Sequence, residues 1–441
     1  MPISRREFLA AAGAVGAVVA TKSWPTIAGA SPPPTLPDPG SSGIEHIVVL
    51  VMENRSFDHF LGWAPGATGT QAGLTYNDDL GVSHPTHQLL DWTGCGFNDP
   101  DHSYDGGRTQ LDGGLCDGFR KGANDDYALG YYVRSQLPTN SALVDDFTIC
   151  DNYFCSILGP TFPNRFYTHA AQTDRIDNAL AQSFLPTIWD ELAAANVSAT
   201  YYFSDEPFLA LWGQKYLPIA RHVAGFFADA AAGTLPSYSY IDPFFVGEDQ
   251  GGSNDDHPHA DIRRGQAFIG KVVNALLCSS LWSKTVLVIT YDEWGGFFEH
   301  VAPPSLPDAF TATATEEHNT AGFRVPCYVV SPFATPGAVA HGQYDHTSIL
   351  KMVEWRWGLS ALTPRDAAAN NLAEVLDFTL STKPSSFPCP PDPGPHVCVG
   401  STSVGASAPN SGLSGGGMNN SEDFWKQLAQ SSLVQPWKNV R

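Results

Sequence analysis

From Ile47 to Met52 every position along the chain is apolar, and the same holds from Val286 to Ile289. An alternating pattern buries one face of a sheet. An unbroken run fits a strand covered on both faces, as in a parallel sheet. Residues 44–52 are read as one such strand and residues 285–290 as a second. Residues 323–331 make a third, closed by Pro332, and residues 199–203 and 238–241 are shorter strands. Between them the period becomes helical. Residues 185–195 have helical spacing. Residues 260–281 bring Ile262, Phe268, Val272, Val273 and Leu276 onto or near one face. Another helix opens at His346-Thr347-Ser348 and runs to about Trp357. Strands alternating with helices predict an α/β fold with a mainly parallel sheet. The stretch 64–130, rich in Gly, Asp and Asn, reads as loops, and no internal repeat is visible.

The two ends carry other signals. Ser4-Arg5-Arg6-Glu7-Phe8-Leu9 matches the twin-arginine export signal, an apolar Ala/Gly-rich stretch follows to Ala20, and Ala28-Gly29-Ala30 offers a cleavage site. Residues 1–30 are therefore expected to address the chain to the export machinery of that route, and the mature protein to be secreted or associated with the cell envelope. The apolar stretch is too short for a membrane span, so none is expected in the mature protein. Residues 31–43 read as a Pro/Ser/Gly linker and residues 44–383 as the body. Residues 384–441 shift to Pro, Gly and Ser, regain helical spacing only at 422–431, and read as an extension wrapped on the body.

Acidic residues outnumber basic ones by 45 to 24, for a net charge of −21. That excludes a nucleic-acid binder and electrostatic docking on anionic membranes. With 43% hydrophobic and 16% charged residues the chain folds, and 41 Gly and 34 Pro make it loop-rich. An even count of eight Cys in an exported chain favours disulfides. Local spacing suggests Cys95–Cys116, Cys150–Cys155 and Cys389–Cys398, leaving Cys278 with Cys327.

Both long apolar strands end in oxygen ligands, Glu53-Asn54 after the first and Asp292-Glu293 after the second. Either pair alone reads equally as a helix cap or a solvated turn. At the carboxyl ends of two strands of one parallel sheet, where ligands of such folds sit, they point to a hard, oxygen-rich cation site. A third element is Gly159-Pro160-Thr161-Phe162-Pro163-Asn164-Arg165, with a helix expected to start near Asn164. Thr161 is either a cap on a buried turn or a nucleophile activated by a nearby divalent cation. His102, His257, His259, His300 and His346 lie in polar loops beside these elements. Two or three of them are expected to hold phosphate oxygens or protonate a leaving alkoxide. None has the spacing of a helix-borne zinc site, and neither a P-loop nor a G-x-S-x-G elbow is present.

The segment from Glu45 to Gly62, built around Met52-Glu53-Asn54-Arg55-Ser56-Phe57-Asp58-His59-Phe60, resembles the opening signature of the bacterial phosphatidylcholine-type phospholipase C and acid phosphatase family. Gly159–Arg165 resembles its nucleophile segment, Thr290–Val301 its later metal segment, and Asp345-His346-Thr347-Ser348 a fourth signature. The resemblance implies a doubly wound, alkaline-phosphatase-like α/β core with helices on both faces. It implies one divalent metal, held here by Glu53, Asn54, Thr161, Asp292 and Glu293. The scarcity of histidine ligands favours Ca, Mg, Mn or Fe over Zn. Thr161 matches the nucleophile, and His102 and His257 match histidines that contact the phosphoryl group. His259, His300, His346 and Asn164 remain as further phosphate-binding or supporting residues.

The implied activity is phosphoester hydrolysis through a covalent phosphothreonine. The enzyme would be a phospholipase C on phosphatidylcholine-like lipids or an acid phosphatase of broad specificity. A non-catalytic exported binding protein on the same fold is the alternative from another class. A sulfatase-like esterase is disfavoured by threonine at the nucleophile position. Trp63, Trp92, Trp294, Phe297 and Phe298 are candidates for binding choline through cation–π contacts or an acyl-glycerol body, and equally for core. Given the acidity, a lipid substrate is expected to be zwitterionic.

Overall fold

The two unbroken apolar runs pair with each other at the centre of an eight-stranded sheet. The computed structural model describes residues 35–248, 252–309, 317–396 and 423–440. In chain order the strands are β1 (His46–Met52), β2 (Thr148–Cys150), β3 (Ala199–Phe203), β4 (Ala220–His222), β5 (Tyr238–Ile241), β6 (Thr285–Tyr291), β7 (Cys327–Val330) and β8 (Ala338–Ala340). Across the sheet they run β8-β2-β7-β6-β1-β5-β3-β4. Only the pairings of β7, with β6 and with β2, are antiparallel. In β6 every residue is buried, and in β1 only His46 is half-buried, which is why neither strand alternates.

The helices are α1 (Phe57–Leu61), α2 (Tyr104–Leu111), α3 (Pro138–Asp146), α4 (Thr161–Ala170), α5 (Ile188–Ala194), α6 (Ala224–Ala232), α7 (Ile262–Cys278), α8 (His346–Trp357), α9 (Pro364–Ala368) and α10 (Asp423–Gln430). Helices α3 and α6 pack on α7, while α5 and α8 pack on α4 and α9 packs on α8. These two groups cover the two faces of the sheet, the doubly wound arrangement.

The stretch 64–130 departs from the expectation of loops, because it contains α2 and a hairpin of Thr75–Asn77 with Ser83–Pro85. Gly106 and Gly107 depress the helical signal of α2. Gly107 is needed there: a Cβ would come within 2.9 Å of Trp294 and 2.8 Å of Leu158. The expected export signal, residues 1–30, lies outside the described residues, as does 397–422 of the C-terminal extension. No described helix is long and apolar enough to cross a membrane.

The four expected disulfide pairings do not form. Cys95 is disulfide-bonded, but Cys116, Cys150, Cys155, Cys278, Cys327 and Cys389 are free thiols, and Cys398 lies outside the described residues. Sequence proximity misled here. Cys150 sits in β2 directly opposite Cys327 of β7, while the Cys155 thiol points towards the Ile157 carbonyl at 3.8 Å. Cys278 is exposed at the end of α7 and cannot meet the buried Cys327.

Two features of the packing carry predictions. Trp425 of α10 is fully buried and stacks on Phe245 at 3.9 Å, while Phe424 and Trp425 meet Phe162 edge-on at 5.0 and 5.4 Å. Trp425→Ala is expected to cost about 3–5 kcal/mol, read by denaturant unfolding, because it empties that socket. Glu354 of α8 is buried beside the Asp366 carboxylate, and burial, then Asp366, raise its pKa from 4.5 to about 9. The folded state therefore keeps a proton that the unfolded chain releases above pH 4.5, so this position loses stability as pH climbs towards 9. Glu354→Gln is expected to match the parent's melting temperature near pH 4 and to exceed it increasingly at about pH 7 to 9.

Candidate active site

The register of the central pair builds the site. Met52 lies opposite Tyr291, so Glu53 and Asp292 leave the sheet side by side, and the Asp292 N–H donates to the Met52 carbonyl at 3.0 Å. Asn54 follows with φ of 58°, a left-handed conformation that a non-glycine residue adopts at a cost, and its N–H donates to Asp292 Oδ1 at 3.2 Å. Gly295 closes the other strand end with φ of 64°. A Cβ there would lie 2.1 Å from the Asn54 carbonyl, so only glycine lets the two turns pass. Its N–H fixes Glu293 Oε2 at 2.7 Å.

Thr161 enters from the facing helix group. It is the first residue of α4, three residues earlier than the expected start, with Pro160 as N-cap. Asn164 explains the tight turn before it. Its amide donates to the Ile157, Gly159 and Pro160 carbonyls and its Oδ1 accepts the Ile157 N–H at 3.0 Å. Asn164 thus braces the loop. The Thr161 hydroxyl donates to Glu53 Oε2 at 3.3 Å.

One turn along α4, Arg165 is fully buried and faces the same way. Its guanidinium reaches Glu53 Oε1 at 2.7 Å, Asp242 Oδ1 at 2.9 Å and Asp292 Oδ2 at 3.2 Å. Asp242 follows β5, so three adjacent strands, β5, β1 and β6, each deliver a carboxylate to one edge. Tyr201 donates its hydroxyl to Asp242. Burial, then the Asp292 charge, push Glu53 and Glu293 well above the ordinary carboxylate range. Burial raises Asp292 and Asp242 to about 6, opposed in each by Arg165.

The histidines divide. His102 and His257 meet edge to face with ring centres 5.7 Å apart, and His102 Nε2 lies 3.8 Å from Glu293 Oε1. One ligand atom each from Asp99, His102 and His257, and likewise from Glu53, Glu248 and His257, come within 4.8 Å of one another. His346 takes a supporting position: its Nε2 holds the Asp292 carbonyl at 2.6 Å and its Nδ1 faces the Tyr153 hydroxyl at 3.1 Å. Burial lowers its pKa to about 4, so it stays neutral there. His259, with φ of 76°, contacts the Phe97 carbonyl at 3.1 Å and stacks on Tyr127. His300 belongs to a different cluster, with Asp58, Glu299 and the buried Arg324. Trp294, Phe297 and Phe298 are fully buried and belong to the core. Trp63 and Trp92 are half-buried, each faced by an arginine, Arg134 and Arg263.

A hard cation fits the residues present. Several buried acids share the single guanidinium of Arg165. Asn54 Oδ1 and Glu293 Oε1 are buried without a hydrogen-bond partner, which a cation would satisfy. Sequence reasoning missed Arg165, Asp242, Glu248 and Asp99. Asp242 had a signal, a carboxylate directly after a short strand, and Arg165 had one in its spacing of four from Thr161. Glu248 and Asp99 had none.

An α/β sheet that gathers acids, a helix-borne threonine and paired histidines at its carboxyl edge defines a hydrolase suited to phosphoric esters. The model of the phosphoesterase family matches residues 44–360, and the chain belongs to that family. Phospholipase C A of Mycobacterium tuberculosis is 30% identical over 490 residues, covering 91% of this chain and 92% of the relative. Non-specific phospholipase C6 of Arabidopsis thaliana is 32% identical over 383 residues, covering 78% and 74%. Among solved structures, a protein in the alkaline phosphatase superfamily from Vibrio parahaemolyticus is similar at 10% identity and a TM-score of 0.37, covering 74% of this chain and 69% of that one.

Proposed function

We propose that this phosphoesterase is an exported, metal-dependent phospholipase C that cleaves phosphatidylcholine-like lipids through a phosphothreonine on Thr161. The observation that carries the reading is the Thr161 hydroxyl at the start of α4, 3.3 Å from Glu53 Oε2 and beside buried oxygen donors with unmet hydrogen-bonding capacity. The names of the relatives support the lipid substrate, and the pattern from Ser4 to Ala30 supports export.

Glu53, Asn54, Thr161, Asp292 and Glu293 would hold one divalent ion. That ion supplies Lewis-acid charge, lowering the pKa of the hydroxyl and screening the phosphate. Thr161 Oγ passes its proton to Glu53 Oε2 as it attacks phosphorus in line, the P–O bond to the glycerol side breaks, and a proton from His102 or His257 goes to the leaving oxygen. The same histidine then takes a proton from water as it splits the phosphothreonine, and Glu53 returns its proton to Thr161 Oγ, which restores the hydroxyl. The helix N-terminus favours the anionic phosphoryl group.

The test is turnover of p-nitrophenyl phosphate, p-nitrophenylphosphorylcholine and phosphatidylcholine vesicles, with and without a chelator. Release of phosphocholine that stops with chelation and returns with a divalent ion is expected. A strong preference for the monoester would instead make the protein an acid phosphatase. No metal-dependent turnover of any ester would leave only the binding-protein alternative.

A further inference from the structure

Among the described residues, the exposed large apolar side chains are Leu80, Val82, Leu90, Phe97, Leu115 and Phe184. Five of the six fall between residues 80 and 115, in the segment that also carries His102. Leu80 and Leu115 are 89% and 71% exposed, so these are bare apolar groups and not the edges of packed ones. Isolated exposed leucines need no explanation, but a concentration of them does.

Hydrogen bonds tie together the loops that carry four of these residues. The Lys121 ammonium donates to the Asp78 carbonyl at 2.7 Å, and the Gly122 N–H donates to Asp79 Oδ2 at 3.0 Å. The Asn98 N–H donates to Asp125 Oδ2 at 2.7 Å, and its side chain donates to the Ala123 carbonyl at 3.1 Å. Leu80 and Val82 on one loop and Phe97 on another are thereby tied to the loop that follows Leu115. Behind this surface, Phe97 stacks on Tyr127, Tyr127 meets Phe297 edge-on, and His259 contacts the Phe97 carbonyl. The loop of Phe97 and the loop that carries His257 and His259 thus meet through the His259 contact.

Charge selects among lipid surfaces. The same loops carry Asp78, Asp79, Asp112, Asp117, Asp125 and Asp126 against Arg120 and Lys121, on a chain of net charge −21. An anionic bilayer would be repelled, whereas a zwitterionic one leaves apolar insertion unopposed. We propose that the loops bearing Leu80, Val82, Phe97 and Leu115 dock this protein on a zwitterionic, phosphatidylcholine-like lipid surface. The proposal rests on the phospholipase reading, and it names how the enzyme meets its substrate.

The experiment uses the full chain as the non-reacting Thr161→Ala variant, mixed with phosphatidylcholine vesicles and with phosphatidylglycerol vesicles and read by flotation. Binding to the first and not the second is expected. Adding Leu80→Ser, Val82→Ser and Leu115→Ser should weaken vesicle partitioning at least tenfold. In the active background the triple variant should lose a similar factor on phosphatidylcholine vesicles and keep its rate on soluble p-nitrophenylphosphorylcholine. Equal vesicle binding with and without the three serines, or tighter binding to phosphatidylglycerol, would overturn the proposal. The two readings fail separately. A parent that cleaves soluble esters but never floats with vesicles overturns docking alone. A parent that floats but cleaves no ester overturns the activity alone.

Discussion

Thr161→Ala is expected to lower turnover of every phosphoester by about four orders of magnitude or more, because deletion of a nucleophile leaves only binding and electrostatics. The fold should survive. Thr161 opens α4 after a proline N-cap, where alanine is well tolerated, and the lost hydroxyl makes one hydrogen bond, to Glu53 at 3.3 Å. The stability change should stay within about 1 kcal/mol. Thr161→Ser keeps an oxygen at the same place and should retain most of the rate. Acid quenching of the parent during turnover should reveal a phosphorylated peptide containing residue 161, absent from the alanine variant. An alanine variant within roughly tenfold of the parent would remove Thr161 from the chemistry altogether, since no positional effect is that small for a nucleophile.

How much of this was legible beforehand follows from what each element buries. β1 and β6 announced themselves because both faces are covered, and their ends announced Glu53, Asn54, Asp292 and Glu293. Helix α7 was equally plain, as an amphipathic run of 17 residues. The three-residue strands β2, β4 and β8 were invisible, since so short a segment has no period to read. Helix α2 was hidden by two glycines that exist for the sake of Asp101, Leu158 and Trp294, contacts that only the folded chain makes. The cysteine pairings failed for the same reason. Spacing along the chain says nothing about the register that sets Cys150 opposite Cys327. At the site, the acids proposed as ligands stood at strand ends, a one-dimensional signal. Arg165 stood inside what read as an ordinary helix start, and its role depends on three strands arriving at one edge.

Arg165 therefore carries the second large expectation. Among the described residues, its guanidinium is the one basic group in salt-bridge contact with Glu53, Asp242 and Asp292, all fully buried. Removing one partner of such a cluster strands the others, and Arg165→Met should cost about 3–5 kcal/mol in denaturant unfolding. Arg165→Lys keeps the charge but not the fork. A single ammonium cannot donate to three separate carboxylates in fixed directions, so part of the stability should return while the rate stays about a hundredfold down. A divalent ion offers an internal control. Positive charge delivered to Glu53 and Asp292 replaces some of what the guanidinium supplied, so adding the ion should raise the melting temperature of Arg165→Met more than that of the parent. Equal shifts in the two chains would mean that arginine and cation act on separate groups of acids. In that case the ion belongs instead with Asp99, His102 and His257, whose ligand atoms also converge within 4.8 Å.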